Sequence, residues 1–131
     1  MEIRAYMAHP IRGAKGPAAT REEKAANNQR AIEFAVHCRR AFPSLDLWVP
    51  AEHEEFMQHA EDLGILDDAR ILAVDRRIVA RRDILIVYAP DGIISAGMYE
   101  EIAVAQAMSK LWGLTQGSLG PIHRLLGGLL R

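Results

Sequence analysis

Residues 84–105, ILIVYAPDGIISAGMYEEIAVA, decide the fold of this 131-residue chain. Residues 84–89 are an unbroken apolar run of strand length, which is typical of a parallel strand buried on both faces. Turn formers occupy residues 90–92, and helix formers with apolar side chains at helical spacing follow from Gly97. The stretch therefore predicts a strand, a loop and a helix. Ligands of open α/β sheets bind at such joints, beyond the carboxyl ends of the strands.

The rest of the chain alternates in the same way. Further strands are predicted at residues 3–8, 45–49 and, most weakly, 111–114. Helices are predicted at residues 20–41, 67–80 and 121–130, and a polar helix or pair of turns at residues 51–64. Thr20 with Glu23 three residues later predicts an N-terminal capping box for the first helix. Length and pattern together predict one α/β domain spanning residues 1–131.

The last predicted helix is unusually apolar. It carries leucines at positions 125, 126, 129 and 130, more than a terminal helix normally exposes to water. The helix therefore either closes the sheet or packs against a second subunit.

Composition excludes several classes of protein. Half of the residues are hydrophobic and the net charge is -1, so no nucleic-acid polymer and no membrane surface is expected as a partner. A single cysteine excludes an internal disulfide, and the absence of a signal peptide or a long apolar run predicts a cytoplasmic protein. Neither GxGxxG nor GxxxxGK[ST] occurs, and no histidine pair has helical zinc spacing. We therefore expect no metal site and no cofactor.

The joint after the central strand carries groups suited to a ligand. Ser95 can donate or accept a hydrogen bond, and Gly97 would let a ligand approach the backbone. Glu101 follows one helical turn later, where the helix dipole keeps a carboxylate ionised, as suits a nucleophile or an ordinary helix start. In the first loop, Arg12 and Lys15 beside glycines could hold an anion or could be ordinary exposed cations.

For other polar positions, an ordinary structural role is an alternative to ligand binding. Glu52 and His53 follow the second strand and can face a ligand, although a lone loop histidine is more often simply exposed. Asp75 stands beside two arginines and is most simply part of a surface ion pair. Asn27 and Asn28 are poor helix residues that could face the cleft, but solvation is the favoured interpretation.

Taken together, four features resemble the nucleoside 2-deoxyribosyltransferase superfamily. They are Tyr6 in the first strand, Ile11-Arg12-Gly13 in the first loop, Asp75 with Asp83 before the central strand, and Ser95-Ala96-Gly97-Met98-Tyr99-Glu100-Glu101 after it. The resemblance covers roughly residues 3 to 110. Serine at position 95 and the IRG loop resemble the branch of 2'-deoxynucleoside 5'-monophosphate N-glycosidases, whereas the transferases usually carry aspartate there.

This resemblance implies a Rossmann-like, flavodoxin-like three-layer sandwich with a parallel sheet of about five strands. It also implies a homodimer in which one subunit completes the active site of the other. Glu101 matches the family nucleophile that attacks C1' of the sugar, Asp75 the carboxylate that helps to protonate the leaving base, and Tyr6 a tyrosine beside the nucleophile.

The remaining roles implied by the resemblance concern substrate binding. Arg12, Gly13 and Ser95 match positions lining the 5'-phosphate, and Ser118 matches a serine lent by the partner subunit. With Gly97 and His53 they make up the expected substrate-binding set for a small nucleotide or nucleoside.

Three functions stay open at this point. The first is hydrolysis of the N-glycosidic bond of a (2'-deoxy)nucleoside 5'-monophosphate through a covalent glycosyl-Glu101 intermediate. The second is exchange of nucleobases between deoxyribosides. The third is nucleotide binding without turnover. Serine rather than aspartate at position 95 favours the hydrolase, because an anion there would repel a 5'-phosphate.

Overall fold

The computed structural model describes residues 2–11 and 13–129. Its sheet has four strands: β1 (Ile3–Ala8), β2 (Leu45–Trp48), β3 (Ile84–Tyr88) and β4 (Leu111–Thr115). The order is β2-β1-β3-β4 and all neighbours are parallel. The four strand positions predicted from the sequence are confirmed. The expectation of about five strands is wrong for the described residues, which contain four.

Five α-helices cover the sheet: α1 (Arg21–Ala41), α2 (Glu54–Asp62), α3 (Asp68–Arg81), α4 (Ala96–Ala107) and α5 (Gly120–Leu129). Two short 3-10 turns lie in the loops after β1 (Gly13–Ala18) and after β2 (Pro50–His53). The capping box at the start of α1 is present: the Glu23 amide donates to the Thr20 hydroxyl at 3.1 Å, and the Thr20 amide donates to the Glu23 carboxylate at 3.2 Å.

The helices form a layer on each face of the sheet. Residues of α1 and α5 pack in one apolar cluster with one set of strand side chains, represented by Phe34, Leu125 and Ile86. Residues of α3 and α4 pack in a second cluster with the alternate set, represented by Val79 and Met98. The protein is therefore a Rossmann-like three-layer α/β sandwich, and all five residues of β3 are buried.

The described leucines of the last helix close the sheet. Leu125 is buried in the first cluster, and Leu126 and Leu129 are partly buried against it. Gly113 in β4 gives Leu125 this position, because a Cβ at Gly113 would come within 3.1 Å of the leucine side chain. These leucines therefore need no second subunit to be covered, while Leu130 lies outside the described residues. No helix in the described parts of the chain is long and apolar enough to cross a membrane.

Candidate active site

Three acidic side chains meet on the α3/α4 face of the sheet. Tyr6 points from β1 into this face and is fully buried, and Glu101 points into it from α4 with 8% of its surface exposed. Asp75 lies half-buried on α3. Burial raises the Tyr6 pKa well above its ordinary value, and the negative charges of Glu101 and Asp75 raise it further. We call Tyr6, Asp75 and Glu101 the acid cluster. Sequence reasoning named all three residues, and the fold brings them together.

Helical geometry places Glu101 in the cluster. The buried residues of α4 are Met98, Glu101, Ile102 and Ala105; Glu101 lies three positions after Met98 and four before Ala105, so it shares their face of the helix. The neighbouring Glu100 points away from the sheet. Its carboxylate lies 3.7 Å from Arg76 of α3, and its side chain is half exposed.

Burial changes the protonation of Glu101. The pKa of its carboxyl is raised from 4.5 to about 8, mainly by loss of water; the facing Tyr6 side chain offsets part of this increase, and the charges of Asp75 and Glu100 add to it. The two groups nevertheless do not meet in hydrogen-bond geometry. The Tyr6 hydroxyl and Glu101 Oε2 are both buried without a hydrogen-bond partner among the described residues. Buried polar atoms are normally paired, so these two are exceptions to the usual pattern.

Asp75 is held in a different state. Burial raises the pKa of its carboxyl from 3.8 to about 6, which leaves it mostly ionised at neutral pH while Glu101 is mostly protonated. The surface ion pair considered from the sequence does not form in the described residues, because Arg76 lies against Glu100 instead.

Ser95 and Gly97 mark the start of α4. The Ser95 hydroxyl accepts a hydrogen bond from the Met98 amide at 3.3 Å and caps the helix. Its own proton stays available for a ligand at this helix N-terminus. Gly97 is not required by sterics, since an added Cβ would make only an ordinary contact with Leu72 at 3.7 Å.

The structure describes the first loop except for the cation expected to bind phosphate. Arg12 lies outside the described residues, and Gly13 begins the 3-10 turn that follows it. Lys15 already has an anionic partner, because its ammonium lies 3.0 Å from Glu23. Gly16 adopts φ 53°, a conformation that favours glycine.

The loop after β2 contributes an aromatic pair. The His53 ring stacks on Trp48 with 3.8 Å between centroids and 12° between planes. Glu52 is engaged elsewhere, since Arg39 donates to its carboxylate at 2.7 Å. Of the two predicted ligand-facing residues in this loop, only His53 is free of an ion pair in the described structure.

Among the buried polar residues, His9 and Asn28 were not assigned a role from the sequence. His9 follows β1, and its Nε2 accepts a hydrogen bond from the Ala51 amide at 3.1 Å. Burial lowers the His9 pKa to about 4, so the ring is neutral. Asn28 of α1 is also buried, and its Oδ1 has no partner among the described residues. The solvated position favoured for Asn28 is therefore wrong. Its spacing from the apolar Ala31 and Ala35 would have placed it on the inner face of α1.

Two motif residues lie away from the acid cluster. Ser118 is exposed in the turn after β4, where its carbonyl accepts a hydrogen bond from the Thr115 hydroxyl at 2.7 Å. Asp83 immediately precedes β3, at the amino-terminal ends of the strands. Its carboxylate accepts from the Arg4 amide at 2.8 Å, and its own amide donates to the Arg4 carbonyl at 2.7 Å. Asp83 therefore ties β3 to β1.

Two surface clefts formed by described residues do not coincide with the acid cluster. A cleft of about 340 Å³ is lined by residues around Ser44, and another of about 320 Å³ is lined by residues of α3 other than Asp75. We place the candidate site at the acid cluster because the unpaired polar groups and shifted pKa values lie there. No group of three metal-ligating side chains occurs among residues 2–11 and 13–129.

Comparison with known proteins supports the fold. The chain matches no model of a protein family and no curated protein. It is similar to the crystal structure of a conserved protein from Enterococcus faecalis V583, with a TM-score of 0.62 and 19% sequence identity. The match covers 100% of this chain and 76% of that chain. At this identity the similarity shows the α/β fold alone.

Proposed function

We propose that the protein cleaves the N-glycosidic bond of a (2'-deoxy)nucleoside 5'-monophosphate and releases a free base and a sugar phosphate. The observation that carries this proposal is the buried Glu101 carboxyl, which has an unpaired oxygen beside Tyr6 and Asp75. Glycoside cleavage with a covalent intermediate requires one carboxylate as nucleophile and a second group as acid. The resemblance to the nucleoside 2-deoxyribosyltransferase superfamily assigns these same roles to Glu101 and Asp75.

The first half of the proposed reaction forms an ester. The Glu101 carboxylate attacks C1' of the sugar while the bond from C1' to the base nitrogen breaks. The bonding electron pair leaves with the base, and Asp75 supplies the proton that neutralises it. Tyr6 lies beside the nucleophile, where its hydroxyl can donate to the carboxylate and fix its orientation.

Water completes the reaction in the second half. A water molecule attacks C1' and gives its proton to Asp75, which is now the base. The C1'–O bond to Glu101 breaks and returns its electron pair to the carboxylate. Asp75 therefore regains the proton that it gave to the leaving base, and both carboxyl groups are ready for another turnover.

The resting protonation states are the reverse of those the reaction needs. The reaction needs Glu101 ionised and Asp75 protonated, whereas the pKa of about 8 for Glu101 and about 6 for Asp75 favour the opposite arrangement. Between these pH values the pair holds one proton in either arrangement, so the reactive form is a minority of the same total charge. A substrate that donates to Glu101 would enlarge that minority.

The start of α4 supplies a place for the 5'-phosphate. The Ser95 hydroxyl and the positive end of the helix dipole suit an anion, and no carboxylate at position 95 opposes it. Arg12 would add a charge-assisted contact from the first loop.

Base exchange is the second candidate function. Only 8% of the Glu101 surface is exposed, and a site that excludes water would protect the ester until another base arrives. The two functions share the first half-reaction and differ in the acceptor.

A direct assay separates these possibilities. Purified protein is incubated with each 2'-deoxynucleoside and each 5'-monophosphate, with and without an added free base, and products are resolved by chromatography. Base release from monophosphates alone supports the hydrolase. Formation of a new nucleoside that depends on the added base supports exchange, and the absence of any product would favour a binding protein without turnover.

A further inference from the structure

The helix α2 has little support from the rest of the described chain. It packs mainly against the 3-10 turn that precedes it, and its one buried residue is Ala60. Phe56 is 72% exposed, and Leu63, directly after the helix, is 75% exposed. Because these two residues are seven positions apart, their side chains lie on the same side of α2, two turns from each other. Exposed apolar side chains placed together in this way are typical of a contact surface.

The charged residues of α2 are acidic. The helix contains neither lysine nor arginine, and its carboxylates belong to Glu54, Glu55, Glu61 and Asp62. All of these residues are exposed. Among the described residues their one ion pair is a 3.9 Å contact between Glu55 and His59. The helix therefore presents apolar side chains flanked by negative charge, and we call Phe56, Leu63 and these carboxylates the α2 face.

The outer surface of α3 has the opposite charge. A cleft of about 320 Å³ runs along this helix and is lined by Val74, Arg77, Ile78 and Arg81, which we call the α3 cleft. Their spacing places them on one side of the helix. Both arginines are exposed, and neither makes an ion pair among the described residues. The cleft therefore combines an apolar floor with two positive charges that have no partner in the described parts of the chain.

The α2 face and the α3 cleft match in length, polarity and charge. Val74 and Arg81 are seven positions apart, as are the two apolar residues of the α2 face, so each surface extends about 10 Å along its helix. A phenyl ring seated on Val74 and Ile78 would lie between guanidinium groups, which are attracted to aromatic faces. Opposite charges on facing surfaces steer association and fix its orientation. Because both surfaces belong to one chain, a two-fold axis would form the same contact twice.

We propose that the α2 face of one copy of this chain docks in the α3 cleft of a second copy, in a symmetric dimer with two such contacts. Phe56 fills the cleft, and the carboxylates of α2 pair with Arg77 and Arg81. The proposal gives the expected dimer a specific pair of surfaces, and it does not depend on the proposed function because neither surface includes the acid cluster. Salt should weaken the association by screening these charges.

Two charge-reversal variants test which surfaces meet. The cleft variant carries Arg77→Glu and Arg81→Glu, and the helix variant carries Glu55→Arg, Glu61→Arg and Asp62→Arg. All five positions are exposed, and circular dichroism and melting temperature check that the fold is kept. Either variant paired with itself would bring like charges together, whereas the mixed pair has opposite charges at both contacts. Sedimentation velocity at micromolar concentration, with a fluorescent label on one variant, measures the mass of each variant and of their equimolar mixture.

We expect the wild type to be a dimer, each variant alone to be a monomer, and the mixture to form a dimer that contains both. A control with Arg40→Glu and Arg124→Glu makes the same change of charge as the cleft variant, at exposed residues of α1 and α5 on the other layer, and should stay dimeric. Phe56→Ala should raise the dissociation constant roughly tenfold or more, because the burial of an aromatic side chain is lost.

The results distinguish this contact from other modes of association. A wild type that is monomeric throughout the micromolar range would refute a second copy as the occupant and leave both surfaces to a different protein. Charge-reversal variants that remain dimeric alone, or a control variant that becomes monomeric, would refute these surfaces. Monomeric variants that do not associate on mixing would refute the pairing of α2 with α3. An unchanged dissociation constant for Phe56→Ala would refute the seating of this ring in the cleft.

Discussion

Glu100 and Glu101 are adjacent in α4 but lie in opposite environments. Glu101 is buried beside Tyr6, whereas the half-exposed Glu100 lies 3.7 Å from Arg76. If Glu101 is the nucleophile, Glu101→Ala should lower kcat by several orders of magnitude, because water attack cannot replace a covalent step at a similar rate. Glu100→Ala should leave kcat nearly unchanged.

Melting temperature provides the control for this pair. Glu101 Oε2 is buried without a partner, so removing the carboxyl should not destabilise the fold through a lost hydrogen bond. Glu100→Ala removes only an exposed ion pair, which contributes at most about 1 kcal/mol. A folded Glu101→Ala variant with wild-type kcat would remove the core of the mechanism.

Stability should fall as pH rises between 6.5 and 8. The Glu101 pKa is raised from 4.5 to about 8, so its contribution is complete below pH 4.5 and is lost as pH rises through 8. Asp75 has a pKa of about 6, so its carboxyl is already mostly ionised by pH 6.5. The pKa of His9 is lowered to about 4, so the contribution of its neutral ring to stability is present above pH 6.5. The window therefore reports Glu101, with a loss of about 2 kcal/mol.

Glu101→Gln supplies the comparison for this window, because glutamine has the same shape and does not titrate. Thermal or urea unfolding of both proteins is measured at roughly pH 6.5, 7.2 and 8.0. These values span the range in which Glu101 is expected to dominate the change in stability. The slope of the wild type should be absent in the variant. Equal slopes would show that Glu101 does not carry the buried proton.

Activity should depend on pH as a bell. Base release needs one proton shared by Glu101 and Asp75, so kcat/KM should rise with a pKa near 6 and fall with a pKa near 8. Rates measured across this range on a monophosphate test the expectation. Asp75→Asn should abolish the bell-shaped pH dependence, together with most of the activity on substrates with a poor leaving base. A wild-type pH profile that is flat from about pH 5 to 9 would contradict the proposal that Glu101 and Asp75 share one proton.

Arg12→Ala should raise KM for a monophosphate far more than for the matching nucleoside. The loss of a charge-assisted contact to phosphate weakens binding only when the phosphate is present. Steady-state kinetics on the two substrates gives the ratio directly. Lys15→Ala is the matched control, because Lys15 already pairs with Glu23. Equal losses on both substrates would favour the base-exchange function.

We expect the protein to be a dimer at micromolar concentration. The resemblance implies an active site completed by a second subunit, and three large apolar side chains in α2 and just after it, Phe56, Leu63 and Ile65, are each more than 60% exposed. Light scattering measures the mass. A monomer with full activity would contradict the expectation.

Local patterns were enough to predict most of the elements. The apolar run at residues 84–89 and the Thr20–Glu23 box gave β3 and the start of α1 because both signals are local. The second strand was predicted to end at Val49 but ends at Trp48. Pro50 has no amide proton to donate to the sheet, and a 3-10 turn begins there. The count of about five strands came from the resemblance and from no run of residues in the chain.

The candidate site was predictable in part. The resemblance selected Glu101 over Glu100, while helical geometry indicated only that these two adjacent side chains point in directions about 100° apart. Trp48 was overlooked because its position depends on the register between β1 and β2, which tertiary packing sets. A partial signal existed: Leu45, Leu47 and Val49 fill one face of the strand, so Trp48 must occupy the other.

The two hydrogen bonds between Asp83 and Arg4, one to the Asp83 carboxylate and one from its backbone amide, have a consequence for interpreting mutants. They fix the alignment of β1 against β3, and a slip of one residue would turn Tyr6 to the α1/α5 face. An alanine scan scored by activity alone would then assign Asp83 to the chemistry, although it lies at the amino-terminal ends of the strands and holds the register. Loss of activity at Asp83 should come with a lower melting temperature, whereas loss at Glu101 should not.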